Sequence, residues 1–149
     1  MNAKPIVSTT SNGISMHATC VAFDAQGVLL TGKSGSGKSA LALQLIALGA
    51  TLVADDRTRL SLDEGQPIAH APKRLAGTIE ARFVGLLRVP YQARVPVCLV
   101  VDLESQQSTR LPHNCVSRLL GIEIPLIYKV SQPYFPAAIK LLIQGGRTA

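Results

Sequence analysis

The sequence predicts a mixed α/β domain in which a mostly stranded sheet surrounds one central helix. Three observations predict it. The first is a complete phosphate-binding loop, Gly32-Lys33-Ser34-Gly35-Ser36-Gly37-Lys38-Ser39, spelling G-x-x-x-x-G-K-S between a buried apolar run at 27–31 and a helical pattern at 38–48. The second is a series of short apolar runs separated by Gly, Asp and Pro. The third is that residues 51–103 offer no convincing second crossover helix, which argues against the regular strand–helix alternation of a doubly wound sheet.

The elements follow in chain order. Residues 1–13 are polar and Ser/Thr-rich and read as a flexible arm; residues 14–149 read as one domain. Residues 18–23 (ATCVAF) form a strand, and Asp24-Ala25-Gln26-Gly27 turns into the strand before the loop. The helix KSALALQLIAL leaves the loop, with Gly49 as its C′ stop. Strands are expected at 51–54, at 59–62 before the Asp63-Glu64-Gly65 turn, and on both sides of Gly85 within 78–89. The run PVCLVVDL at 96–103 reads as a deeply buried strand and 124–130 as the last one. Residues 133–144 (PYFPAAIKLLIQ) read as a C-terminal helix with its prolines in the first turn.

Composition narrows the class. The chain has 149 residues, 47% of them hydrophobic and 16% charged, which is globular rather than disordered. A single domain of this size buries roughly two-thirds of its unfolded surface. No apolar run reaches the ~18 residues of a membrane span. The first residues lack the apolar core of a secretory signal, so a cytoplasmic protein is expected. Cys20, Cys98 and Cys115 form no C-x-x-C pair, which speaks against zinc and against a disulfide framework. The net charge of +6 is scattered, and three Phe, three Tyr and no Trp make a poor stacking platform. Nucleic acid is therefore not the expected partner; an acidic protein surface remains open.

The loop points to a polyphosphate. Glycines let the backbone approach it with N–H groups turned inward, Lys38 reaches the outer phosphates, and the Ser39 hydroxyl joins the shell of Mg²⁺. The positive end of the following helix adds to the same site. A transferase also needs a second metal ligand and a group that positions the attacking hydroxyl. Two strands could deliver a carboxylate: Leu52-Val53-Ala54-Asp55-Asp56 and Val97-Cys98-Leu99-Val100-Val101-Asp102. In the paired acids one carboxylate can hold metal while its neighbour accepts a proton.

With these residues in view, the chain resembles the catalytic domain of HPr kinase/phosphorylase in its short form. The match runs through GVLLTGKSGSGKSALALQLIALGATLVADDRTRL, residues 27–60, and a second segment at 71–85 reads A-P-x-x-L-x-G-x-I-E-x-R-x-x-G. The resemblance implies a P-loop kinase domain of the phosphoenolpyruvate-carboxykinase-like kind. It also implies ATP and Mg²⁺ as cofactors and a serine of the phosphocarrier protein HPr as substrate, with no membrane partner and a homohexamer as the assembly. By position it gives the phosphate-binding role to Gly32, Lys33, Ser34, Gly35, Ser36, Gly37, Lys38 and Ser39. Lys38 neutralises the transferred group, Asp56 is the general base, and His17 and Arg110 are further catalytic residues. Ser39, Asp55 and Glu80 are metal ligands. Ala40 stands where the family often has Glu, Phe83 where it usually has Gly, and residues 127–133 lack the Gly-Arg-Asn of many members. These departures leave the reverse phosphorolysis open. Two further readings stay beside the kinase: an ATP-binding regulatory module that transfers nothing, and a small-molecule kinase.

Overall fold

The structure, a computed structural model, describes residues 7–10 and 13–149. Twelve strands and two helices follow in the order β1 (Val7–Thr10), β2 (Gly13–Met16), β3 (Ala18–Phe23), β4 (Gln26–Thr31), α1 (Lys38–Ala47), β5 (Thr51–Ala54), β6 (Thr58–Asp63) and β7 (Gln66–His70). They continue with β8 (Thr78–Ala81), β9 (Gly85–Arg88), β10 (Arg94–Gln106), β11 (Cys115–Leu119), β12 (Ile122–Lys129) and α2 (Phe135–Gly145). Within the arm expected at 1–13, residues 7–10 are a strand paired antiparallel with β2, and Gly13 opens β2; the rest of that arm lies outside the described residues.

Ten strands make one mixed, curled sheet in the order β1-β2-β6-β7-β10-β4-β3-β5, with β12 on β10 and β11 on β12. The long strand β10 ties the two wings together. Its first residues pair antiparallel with β7, and after a register shift its second half runs parallel to β4 and β12. Only β8 and β9 stand apart, as a two-stranded hairpin. The mixed sheet agrees with the expectation from sequence: β3 runs antiparallel to both its neighbours, β4 and β5, and α1 is the crossover that joins those two strands.

Side chains alternate across the sheet, so both faces of its centre are buried. Val21, Phe23, Val28 and Leu30 face α1 and α2, where Leu41, Leu45, Ile79 and Ile139 complete one core. Cys20, Ala22 and Leu29 face the other way and pack with Met16, Leu60, Val95 and Leu126. Helix α1 is thereby fixed as a strut behind the loop. Truncating fully buried Leu45 to Ala would cost about 2–5 kcal/mol.

Besides β1 and β2, two further strands were not expected. Strand β7 carries Pro67, which reads against a strand, yet Pro67 pairs with Leu62 at the strand's start. Strand β11, CVSRL, has too few apolar residues to announce itself and is held by its hairpin to β12. Helix α1 ends at Ala47, with Gly49 at φ +108° where the chain turns. The three cysteines are free. Among the described residues no helix is long and apolar enough to cross a membrane.

Candidate active site

The phosphate loop sits at the end of β4, between the parallel strand β10 and the antiparallel strand β3. Two glycines shape it. Gly32 has φ +146°, and a Cβ there would lie 2.5 Å from the Ser36 hydroxyl. Gly37 has φ +100° and caps α1, a conformation an L side chain adopts only at a cost. The first turn of α1 has no acidic residue and no side-chain cap, which leaves its positive end to an anionic ligand. The Ser36 hydroxyl is buried without a partner inside the loop, an orphan that a phosphate oxygen would satisfy.

Lys38 is 5% exposed. Its ammonium donates to the carbonyls of Gly32 (2.7 Å) and Lys33 (3.2 Å) and stands 3.3 Å from His17 Nε2. Burial pushes Lys38 below the ordinary lysine value, while Asp56, Asp55 and Glu104 pull it back up. A protonated lysine can only donate, so His17 Nε2 accepts from it and the ring proton belongs on Nδ1. That nitrogen faces Asp56 Oδ1 at 3.6 Å, an electrostatic contact rather than a hydrogen bond. His17 Nε2 also meets the Ser34 hydroxyl at 3.3 Å. His17 thus stands between the loop and the second of the paired acids.

The paired acids leave β5 in a tight turn. The Ser39 hydroxyl donates to Asp55 Oδ1 at 2.8 Å, and the Thr19 hydroxyl donates to the same oxygen at 3.1 Å. Thr19 also accepts the Asp56 backbone N–H at 3.1 Å. Asp56 itself has φ +65°, a left-handed conformation that Asp tolerates better than most residues but that still costs of order 1–3 kcal/mol. Thr19, wholly buried on β3, therefore holds both residues at once: the Asp55 carboxylate by its proton and the Asp56 backbone by its lone pair. Sequence reasoning missed it. The signal was a lone hydroxyl in an otherwise apolar strand, two residues after His17.

The second candidate acid, Asp102, is 7% exposed and in register with Thr31 on β4. Its Oδ1 accepts the N–H of Glu104 at 2.9 Å. Glu104 in turn accepts the N–H of Lys33 at 3.3 Å. The strand thus delivers Glu104 to the loop, and Asp102 shapes its end. Glu104 was also missed, although it follows Asp102 by two residues on the strand parallel to β4.

Two expected site residues lie elsewhere. Glu80 is exposed on β8, opposite Leu86 of β9. Arg110 is exposed in the connection between β10 and β11, where it lines a cavity of about 420 Å³ against α2. Neither makes a hydrogen bond or ion pair with the loop or with Asp55 and Asp56. No cluster of three His, Cys, Asp or Glu side chains able to hold a metal occurs among the described residues. The adjoining oxygens of Ser39 and Asp55 nevertheless suit Mg²⁺, which takes one or two protein ligands and fills its shell with water and phosphate.

Known proteins resemble this chain in sequence and in fold. HPr kinase/phosphorylase of Lacticaseibacillus casei strain BL23 is 33% identical over 136 residues, which is 85% of this chain and 41% of that protein. The Caldicellulosiruptor bescii protein of the same name is 34% identical over 127 residues, 76% of this chain and 41% of its own length. This chain therefore spans less than half the length of these curated relatives. The solved structure of the HPr(Ser) kinase/phosphatase from Coxiella burnetii superposes with a TM-score of 0.73 at 28% identity, covering 87% of this chain and 88% of that one. The family model of the HPr serine kinase C-terminal domain matches residues 8–127, and the chain belongs to that family.

Proposed function

We propose that this domain transfers the γ-phosphoryl group of ATP to a serine hydroxyl of the phosphocarrier protein HPr in the bacterial cytoplasm. The observation that carries the proposal is the single network joining Ser39, Asp55, Thr19 and Asp56 beside the loop lysine and His17. Loop N–H groups and the start of α1 bind the polyphosphate. Asp56, on an exposed turn beside that site, takes the proton of the incoming serine hydroxyl. The serine oxygen then bonds to the γ-phosphorus as the bond to the β–γ bridging oxygen breaks, releasing ADP.

Lys38 offsets charge on the transferred group. His17 presents its Nδ1 proton to Asp56 and keeps that carboxylate turned toward the loop. Ser39 and Asp55 would hold Mg²⁺, with Glu80 as a further ligand; bound Mg²⁺ offsets charge on the β- and γ-phosphates. Arg110 is the further cation for the transferred group, and a homohexamer is the proposed assembly.

Incubating the protein with Mg·ATP and purified HPr tests the reading. The expected product is phosphoserine on HPr. ATP binding without any transfer would overturn the kinase and leave the regulatory module. Adding inorganic phosphate to phosphoserine-HPr reads the reverse reaction separately, and light scattering reads the assembly.

A further inference from the structure

A polyphosphate lying in the loop has two ends, and the network described above fixes only one of them. His17 meets the loop at Ser34 and Lys38 and faces Asp56 with its other ring nitrogen, so the reacting phosphoryl group belongs on that side. The rest of the donor must leave by another. A groove of about 380 Å³ opens where the loop passes into α1, bordered by Ser36 and Gly37. Ala40 and Gln44, one helical turn apart, form its α1 wall. Ser39, the residue before Ala40, is turned to Asp55 instead.

The opposite wall is the connection from β12 into α2. Val130 and Phe135 give it apolar surface, Gln132 brings an amide, and Lys129 is the cation in the lining. No carboxylate lines the groove. Its volume falls within the roughly 300–1,000 Å³ of small-ligand sites, and a few polar groups on apolar walls are their usual make-up. A flat, largely apolar ring with a hydrogen-bonding edge fits between the two walls. The side-chain amides of Gln44 and Gln132 can each donate to and accept from such an edge. A cation in the lining suits the phosphates by which the ring would be attached.

We propose that this groove, between Ala40 and Gln44 of α1 and residues 129–135, is the nucleoside pocket of the phosphoryl donor. It rests on the donor being a nucleoside triphosphate, as in the reading above. The pocket gives the loop a direction: nucleoside toward α2, reacting phosphoryl toward Asp56.

Calorimetric titration with two probes, Mg·ATP and Mg·tripolyphosphate, separates the pocket from the loop. The wild-type protein should bind ATP more tightly than tripolyphosphate. Ala40→Trp, which fills the groove from an exposed helix position, should weaken ATP about tenfold and leave tripolyphosphate unchanged. Gln132→Ala, on the far wall and away from the loop, should weaken ATP alone, by a smaller factor. Equal binding of both probes by the wild type would overturn the proposal. So would Gln132→Ala and Ala40→Trp proteins that melt like the wild type and bind ATP unchanged, or that lose both probes in parallel. Failure of the wild type to bind either probe would remove the nucleotide reading itself, and the pocket with it.

Discussion

The central strands and the peripheral connections treat their functional residues differently. On one side, β3, β4 and β5 are neighbours in the sheet, and residues far apart in sequence meet there: Thr19 with Asp55, Lys38 with His17, Ser39 with Asp55. On the other, the β8–β9 hairpin and the β10–β11 connection leave Glu80 and Arg110 exposed and unjoined to the loop. A side chain at the end of a strand in the main sheet has little freedom, because ladder and buried core fix its backbone; β5, at the edge, is held by its ladder to β3 and by the Thr19 and Ser39 hydroxyls on Asp55. One on a hairpin or loop is placed only by what later binds it. The loop, Lys38 and the paired acids are therefore built in advance. The proposed roles of Glu80 and Arg110 require that a bound partner bring them to the loop.

This contrast is breakable, beginning with the largest effect. Asp56→Asn keeps the turn and removes the proton acceptor. Transfer to HPr should fall by about 10²–10⁴-fold, the usual worth of a positioned base, while ATP titrations stay near wild type. A fully active variant would remove Asp56 from the chemistry.

Thr19→Val keeps the shape of a buried side chain and deletes both hydrogen bonds. It should lower kcat by about 10- to 100-fold and lower the melting temperature, since an unpaired buried N–H costs about 1–3 kcal/mol. Thr19→Ser should restore most of both. A Val variant that loses stability but keeps kcat would reduce Thr19 to a fold residue.

Glu80→Gln and Arg110→Gln are the matched test of the periphery. Each should lower kcat by about tenfold. Neither should change the unfolding free energy by more than the ~0.5 kcal/mol of an ordinary surface change. A marked drop in stability would show that these two residues are built in after all.

The smallest effects are in pH. Lys38 is pushed below the usual lysine value by burial, so polyphosphate affinity should fall, as pH rises, earlier than a surface lysine would allow. Far from the site, the Ser61 hydroxyl meets His70 Nε2 at 2.6 Å, and burial together with Arg59 and Arg94 pushes His70 below its ordinary value. The unfolded chain then binds more protons than the fold between that lowered value and the ordinary histidine value of 6.5. Stability should decline as pH falls through this window, and His70→Gln should flatten the decline in thermal melts. An unchanged slope would remove His70 from the acid response.

Much of the site was legible in the sequence because its signals are local. Eight consecutive residues spell the loop, and its strand and helix follow from the apolar pattern beside it. The adjacent Asp55 and Asp56 announce themselves at the end of a short apolar run. The expected helices and most of the strands are present; β7 and β11 escaped because a proline and a polar alternation weaken the apolar signal that their pairing partners supply in space.

The sequence by itself determined the Gly-rich loop, the helix behind it and the paired acids at the end of β5, because these depend on backbone geometry within a few residues. Only the tertiary structure decided that Thr19 holds both acids, that Glu104 rather than Asp102 touches the loop, and that His17 stands between Lys38 and Asp56. Each of these contacts spans at least 21 residues of chain and exists because β3, β5 and β10 lie beside β4 or one strand from it. Register in a sheet is set by the whole buried face, which no short stretch of sequence contains.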